Sequence, residues 1–161
     1  MLRYAGVGLL LICALIGAVF YFNRGSQIRI EGSIKKVRAQ KLYDKSTLLV
    51  FDFRFSNPAD YPFVVSEVTS TCTLKDGTEL AGELVTDADA KPIFEFHALT
   101  LGAKYNESLV RKSRVAPKTT EDRMIAMTYA AEPEDLEART GCVLHVKDVD
   151  GAVSTIVEKR P

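Results

Sequence analysis

Few residues of this chain are of a type that does chemistry, and they are scattered. His97 and His145 are the two histidines, and the three cysteines are Cys13, Cys72 and Cys142. No C-x-x-C, C-x-x-C-H or H-E-x-x-H spacing joins them, so no metal centre with ligands at short fixed intervals is indicated. The run DVDG, residues 148 to 151, invites a calcium reading. Aligning Asp148, Asp150 and Gly151 with the third, fifth and sixth loop positions puts Val146 first and Val157 twelfth, where carboxylates are required. It reads instead as a hairpin turn. The sequence contains no G-x-S-x-G, P-loop or dinucleotide fingerprint, and neither histidine has a general-base partner at a telling spacing. RKSR, Arg111 to Arg114, reads as a solvated loop. Asn106-Glu107-Ser108 is a formal glycosylation sequon, meaningful only in a eukaryotic secretory route. The expectation is a chain that is not an enzyme, with no catalytic residue, metal, cofactor or small-molecule substrate.

Cys72 and Cys142 both fall on faces that hydrophobic alternation turns inward. On an exported domain they can form a disulfide contributing ~2–4 kcal/mol; the other reading is two buried thiols packing as small hydrophobes.

The elements that would hold these residues are mostly strands. In STLLVFDFRFS, Leu49, Phe51, Phe53 and Phe55 share one face, and Leu48, Val50, Asp52 and Arg54 the other, the period of a half-buried antiparallel strand. Ile28, Ile30 and Ile34 alternate likewise before it. NPADYP then forms a corner, because Pro58 restricts Asn57 and cannot donate to a ladder. The next strand, FVVSEVTSTCTL, is expected to turn Val64, Val68, Cys72 and Leu74 inward, and Asp76-Gly77 signals a hairpin into TELAGEL. The middle reads as a short amphipathic helix over residues 90 to 99, N-capped by Asp89 with Pro92 in its first turn and Gly102 beyond its end; Phe94, Phe96 and Leu99 are expected in the core. A short strand near Val110, an alternating EDRMIAMTYA, one helical turn in EPEDLEARTG and a hairpin around Asp150-Gly151 complete the chain. About seven or eight short strands with Gly, Pro and Asp corners make an all-β antiparallel sandwich the expected fold, with a small helical insertion.

The N-terminal part is of another kind. Ala5 to Phe22 carries no charge and is bounded by Arg3 and Arg24. As a helix it would be ~27 Å long, close to the ~30 Å hydrocarbon core. Tyr4 and Phe20 to Phe22 lie where aromatic residues favour the interface. No small-x-small cleavage site follows, so residues 1–24 are expected to be an uncleaved single-span anchor and 25–161 the β-sandwich domain. Gly6, Cys13, Ala14, Gly17 and Ala18 form a small-residue stripe that would let a partner helix approach closely.

VFDFRFSNPADYPF resembles the signature strand and Asn-Pro corner of the late-embryogenesis-abundant type 2 (WHy-like) domain over about residues 46 to 75. The resemblance implies an immunoglobulin/fibronectin-like sandwich, often behind a membrane segment, with no catalytic residues to carry over. The helix-bearing middle and VLHVKDVDGAV depart from that family and look more like bacterial anchored β-sandwich proteins.

Charge narrows the function. Lys and Arg total 21 and Asp and Glu 21, a balance that argues against a nucleic-acid binder. Basic residues concentrate after the span: Arg24, Arg29, Lys35, Lys36, Arg38 and Lys41, which would meet anionic headgroups or an acidic partner. The expected partners are membrane lipid and another membrane protein, with the chain as an accessory subunit or interaction module. The alternative is an autonomous envelope or stress-protection protein binding apolar or unfolded ligands, for which Phe94, Phe96 and Leu99 would line an exposed groove. The domain is expected on the exported side of the membrane.

Overall fold

A computed structural model describes Gly8, residues 12–19 and residues 29–160 of the chain. Its nine strands are β1 (Glu31–Tyr43), β2 (Ser46–Ser56), β3 (Phe63–Thr73), β4 (Glu79–Leu84), β5 (Glu107–Ser108), β6 (Arg114–Val115), β7 (Thr120–Tyr129), β8 (Gly141–Asp148) and β9 (Val153–Val157). Three short helices interrupt them: α1 (Asp87–Phe96), α2 (Ala98–Leu101) and α3 (Pro133–Glu137). The main path of hydrogen-bonded strands is β1-β2-β7-β4-β3-β8-β9, and all of these neighbours are antiparallel.

The path folds over on itself because its inner faces are apolar. Leu49, Phe51, Phe53 and Phe55 of β2, with Ile125, Met127 and Tyr129 of β7, pack against Phe63, Val65 and Val68 of β3, Leu144 and Val146 of β8 and Ile156 of β9. Burying side chains of this size contributes roughly 1.5–3 kcal/mol each, which makes the phenylalanine row of β2 a principal stabilising element. β4 carries the path between the two layers: it pairs with β3 over Glu79–Gly82 and with β7 at Glu83 and Leu84. At this crossing Gly82 lies so close to the Ser70 hydroxyl and the Tyr129 ring that a side chain there has no room.

The Asn-Pro corner works through the asparagine. The Asn57 Oδ1 accepts from the Ala59 N–H, its Nδ2 donates to the carbonyls of Tyr61 and Ala116, and its backbone N–H donates to the Thr119 carbonyl. One buried side chain thereby ties the turn to the loop before β7. The Asp76-Gly77 and Asp150-Gly151 hairpins form as expected, each glycine at positive φ.

Three local expectations need correction. β2 is buried on both faces, not one, because a second apolar cluster of Leu48, Val50, Met124 and Ala126 is covered by Ala90, Phe94 and Leu101. In β3 the inward residues begin as Phe63 and Val65, not Val64. An irregularity between Val65 and Glu67 then shifts the alternation so that Val68 and Cys72 point in, as a bulge does. The expected single helix over 90 to 99 is two pieces: Thr86, not Asp89, caps α1 by accepting from the Asp89 N–H, and the chain breaks at His97 before α2 ends at Gly102.

Residues 12–19 are helical and exposed. Among the described residues no helix is long and apolar enough to cross a membrane. The expected span over Ala5 to Phe22 extends beyond them: Gly6 and Arg24 lie outside the described residues, while Cys13, Ala14, Gly17 and Ala18 fall in the helical stretch.

Candidate interaction surface

The outer face of β1-β2-β7 is where the fold does something that sequence periodicity does not require. β2 places Asp52 on this face beside Val50, an acid between Phe51 and Phe53. Its partner comes from β1: Arg38 Nε donates to one Asp52 oxygen at 3.0 Å and Arg38 Nη2 to the other at 3.2 Å. The Nη1 of the same guanidinium donates to the carbonyls of Leu101 at 2.8 Å and Ala103 at 3.0 Å. Those carbonyls belong to the end of α2 and the residue after Gly102, where helical hydrogen bonding has run out of donors and a cation is favoured. Asn106 Nδ2 adds a bond to Asp52 at 3.1 Å. The Phe94 ring sits 5.1 Å from the guanidinium carbon and the Tyr105 ring 5.8 Å. Arg38 therefore clamps the helical cap to the sheet at four points. At 6% exposure it is not the surface cation expected from the basic run after the span. The alternation of β1 turns Arg38 toward the cap, where Asp52 supplies the countercharge.

Two further ties hold the cap. Asp87, in the first turn of α1, accepts from Lys104 Nζ at 2.5 Å and from Ser108 Oγ at 2.5 Å. The bonds from Lys104 and Ser108 hold its carboxyl below the usual carboxylate range. Thr100 Oγ1 bonds Gln40 of β1. Between α1, α2 and the returning chain lies an open groove of about 490 Å³, floored by Phe94, Ala98 and Ala103 and rimmed by Lys91, Glu95 and Lys104. Of Phe94, Phe96 and Leu99, expected to line such a groove together, only Phe94 does; Phe96 and Leu99 are outside its lining, at 85% and 102% exposure. The expectation that both are core residues fails: Ala90, Phe94 and Leu101 face the sheet, and helical period sets Phe96 and Leu99 on the opposite side.

The other expected site residues are dispersed. Arg29, Lys35 and Lys36 are exposed. Lys41 is paired with Glu132 at 2.7 Å, and this bond raises the lysine pKa and lowers that of the carboxylate. Arg111, Lys112 and Arg114 are exposed around β6. His145 is bonded by Thr155 across β8–β9, and His97 packs edge-on against Phe96. No group of three or more His, Cys, Asp or Glu side chains among the described residues is placed to hold a metal ion.

Cys72 and Cys142 are directly opposite one another in the β3–β8 ladder, with Cα atoms 4.0 Å apart, and form a disulfide in the core. Tyr129, 1% exposed, bonds Ser70, and burial pushes its phenol up to about 12. The residue that sequence reasoning missed is Asp52. A carboxylate inside LLVFDF demands a buried cation, and that demand was visible in the sequence.

No protein-family model matches the chain, and no curated protein matches it. Among solved structures it is similar to an uncharacterized β-sandwich protein from Clostridium difficile 630, at 16% identity over 82% of this chain and 81% of that one, with a TM-score of 0.34. That description names a β-sandwich and no activity.

Proposed function

We propose that this chain is a membrane-anchored, non-catalytic β-sandwich of the immunoglobulin/fibronectin-like kind that serves as an accessory subunit of a membrane-protein complex. The observation that carries the reading is the fixing of Ile30. Its side chain is buried in the main core and its N–H donates to Ser154 Oγ at 2.8 Å. Only residues 23–29 then separate the uncharged run from a folded domain, and seven residues span at most ~24 Å. A domain on so short a lead works beside a bilayer and not at a distance from it. The exposed small residues Cys13, Ala14, Gly17 and Ala18 on the helical stretch suit close packing by a neighbouring helix. The Cys72–Cys142 disulfide favours an oxidising compartment, hence the exported side.

The test is mild-detergent extraction of native membranes, capture of the chain and mass spectrometry of what stays bound. The reading expects one stoichiometric membrane partner, retained in salt and lost when Gly6 and Gly17 are both replaced by Leu. A chain that elutes alone contradicts it. That result would favour the second reading, an autonomous envelope protein of the late-embryogenesis-abundant type 2 kind, which the open groove floored by Phe94, Ala98 and Ala103 supports as a place for an apolar ligand.

A further inference from the structure

Phe96 and Leu99 are the most exposed large apolar side chains of the described residues, and Tyr105 follows them on the same helical cap. They are knobs, not walls: each projects from a short helix of the cap that Arg38 holds onto the sheet. A rigid convex apolar projection needs either a matching pocket on a protein or a medium that takes it without one. The interfacial region of a bilayer is such a medium for Phe, Leu and Tyr side chains.

The layout of the chain favours the bilayer. β1 belongs to the sheet that lies directly under the cap, and Ile30 is fixed at its start. From Ile30 to Arg38 the strand rises about 26 Å at 3.3 Å per residue, so a domain standing on its entry end holds the cap clear of the membrane. Laid on its side with the cap downward, the domain has its entry point roughly one layer, about 10 Å, above the cap's outer surface. Residues 23–29 span that height with length to spare. Charge does not drive this posture: Lys91 and Lys104 flank the groove, and Asp87, Asp89 and Glu95 outnumber them by one, so the cap has no excess of positive charge.

We propose that the helical cap lies against the same bilayer that the N-terminal apolar run enters, with Phe96 and Leu99 inserted at the level of the headgroups and upper acyl chains. This rests on the anchored reading given above. Since the cap has no excess of positive charge, the contact is apolar and gains nothing from anionic lipid.

The chain has no tryptophan, so one introduced residue reports alone. The full chain carrying Phe96→Trp is reconstituted in phosphatidylcholine vesicles with and without acyl-brominated lipid, beside a Val157→Trp control on β9, whose exposed side chain belongs to the opposite layer. The proposal expects blue-shifted emission from position 96, about twofold quenched by brominated lipid and unchanged on adding anionic lipid, with position 157 unquenched. Adding Leu99→Asp to Phe96→Trp should abolish the quenching. Equal, negligible quenching at both positions in vesicle-bound chain overturns the proposal and leaves the anchor intact. A blue shift without quenching also overturns it, and assigns the cap to a protein partner or a second copy. Chain that fails to float with the vesicles overturns the anchored reading and the proposal with it.

Discussion

Replacing Arg38 with alanine should cost far more than any exposed charge substitution on the same sheet. The loss comprises two bonds to Asp52 at 3.0 and 3.2 Å, two carbonyl bonds at 2.8 and 3.0 Å and the contact with the Phe94 ring. What remains is a buried carboxylate held by Asn106 alone and two helix-end carbonyls without donors. Breaking one side of a buried ion pair costs ~3–5 kcal/mol, chiefly through the charge left behind. With a urea m-value of ~2 kcal/mol/M for a domain of this size, the midpoint should fall by about 2 M. Far-UV circular dichroism of the full chain in mild detergent reads that shift. Arg54→Ala is the internal control, because the Arg54–Asp122 pair has comparable geometry at 2.6 Å but both partners face solvent, where such pairs contribute little. Replacing both Arg38 and Asp52 with apolar residues of similar size should recover most of the loss. If Arg38→Ala moves the midpoint no further than Arg54→Ala, the clamp is not what holds the cap and the reasoning fails.

Other expectations follow from the same structure. Removing the disulfide by Cys72→Ala with Cys142→Ala should cost about 4 kcal/mol, since it closes a loop of 70 residues; a midpoint unchanged from wild type would contradict it. Gly82→Ala should destabilise by roughly 1–3 kcal/mol, because the new methyl meets Ser70 and Tyr129 at the crossing between layers, and thermal unfolding reads this directly. Tyr129 holds its proton up to about 12 when folded, against about 10 when unfolded, so its contribution is complete below pH 10 and is lost as pH rises toward 12. The unfolding midpoint should fall across that window, and the fall should be smaller in Tyr129→Phe. Asp87 has a lowered folded pKa, so its contribution is present above the unfolded carboxylate range and lost as pH falls through the folded value. Acid titration should loosen the α1 amides first, read by hydrogen exchange, and Asp87→Asn should remove that dependence.

Strand identity was legible where pattern and punctuation agree: the phenylalanine row of β2, the Asn57-Pro58 corner and the two Asp-Gly hairpins each carry their own local cause. What was not legible depends on partners distant in sequence. The outer face of β2 is buried only because Ala90, Phe94 and Leu101 return to cover it, and no window around residue 50 contains them. The β3 register turns on one irregular residue at Ser66, which no alternation reveals. Arg38 looked like its neighbours Lys35 and Lys36 because charge alone does not say which way a strand residue points. Phe96 and Leu99 lie opposite Ala90, Phe94 and Leu101 by helical period alone, but which side of the helix meets the sheet depends on β2 and β7, distant in sequence.

The anchored, exported domain is the claim on which the rest depends, and alkaline-carbonate fractionation of native membranes with thiol counting on the denatured chain tests it most directly. The account predicts chain retained in the membrane pellet, with Cys13 reacting at once and Cys72 and Cys142 reacting only after reduction. Chain released to the supernatant with all three thiols free would contradict it.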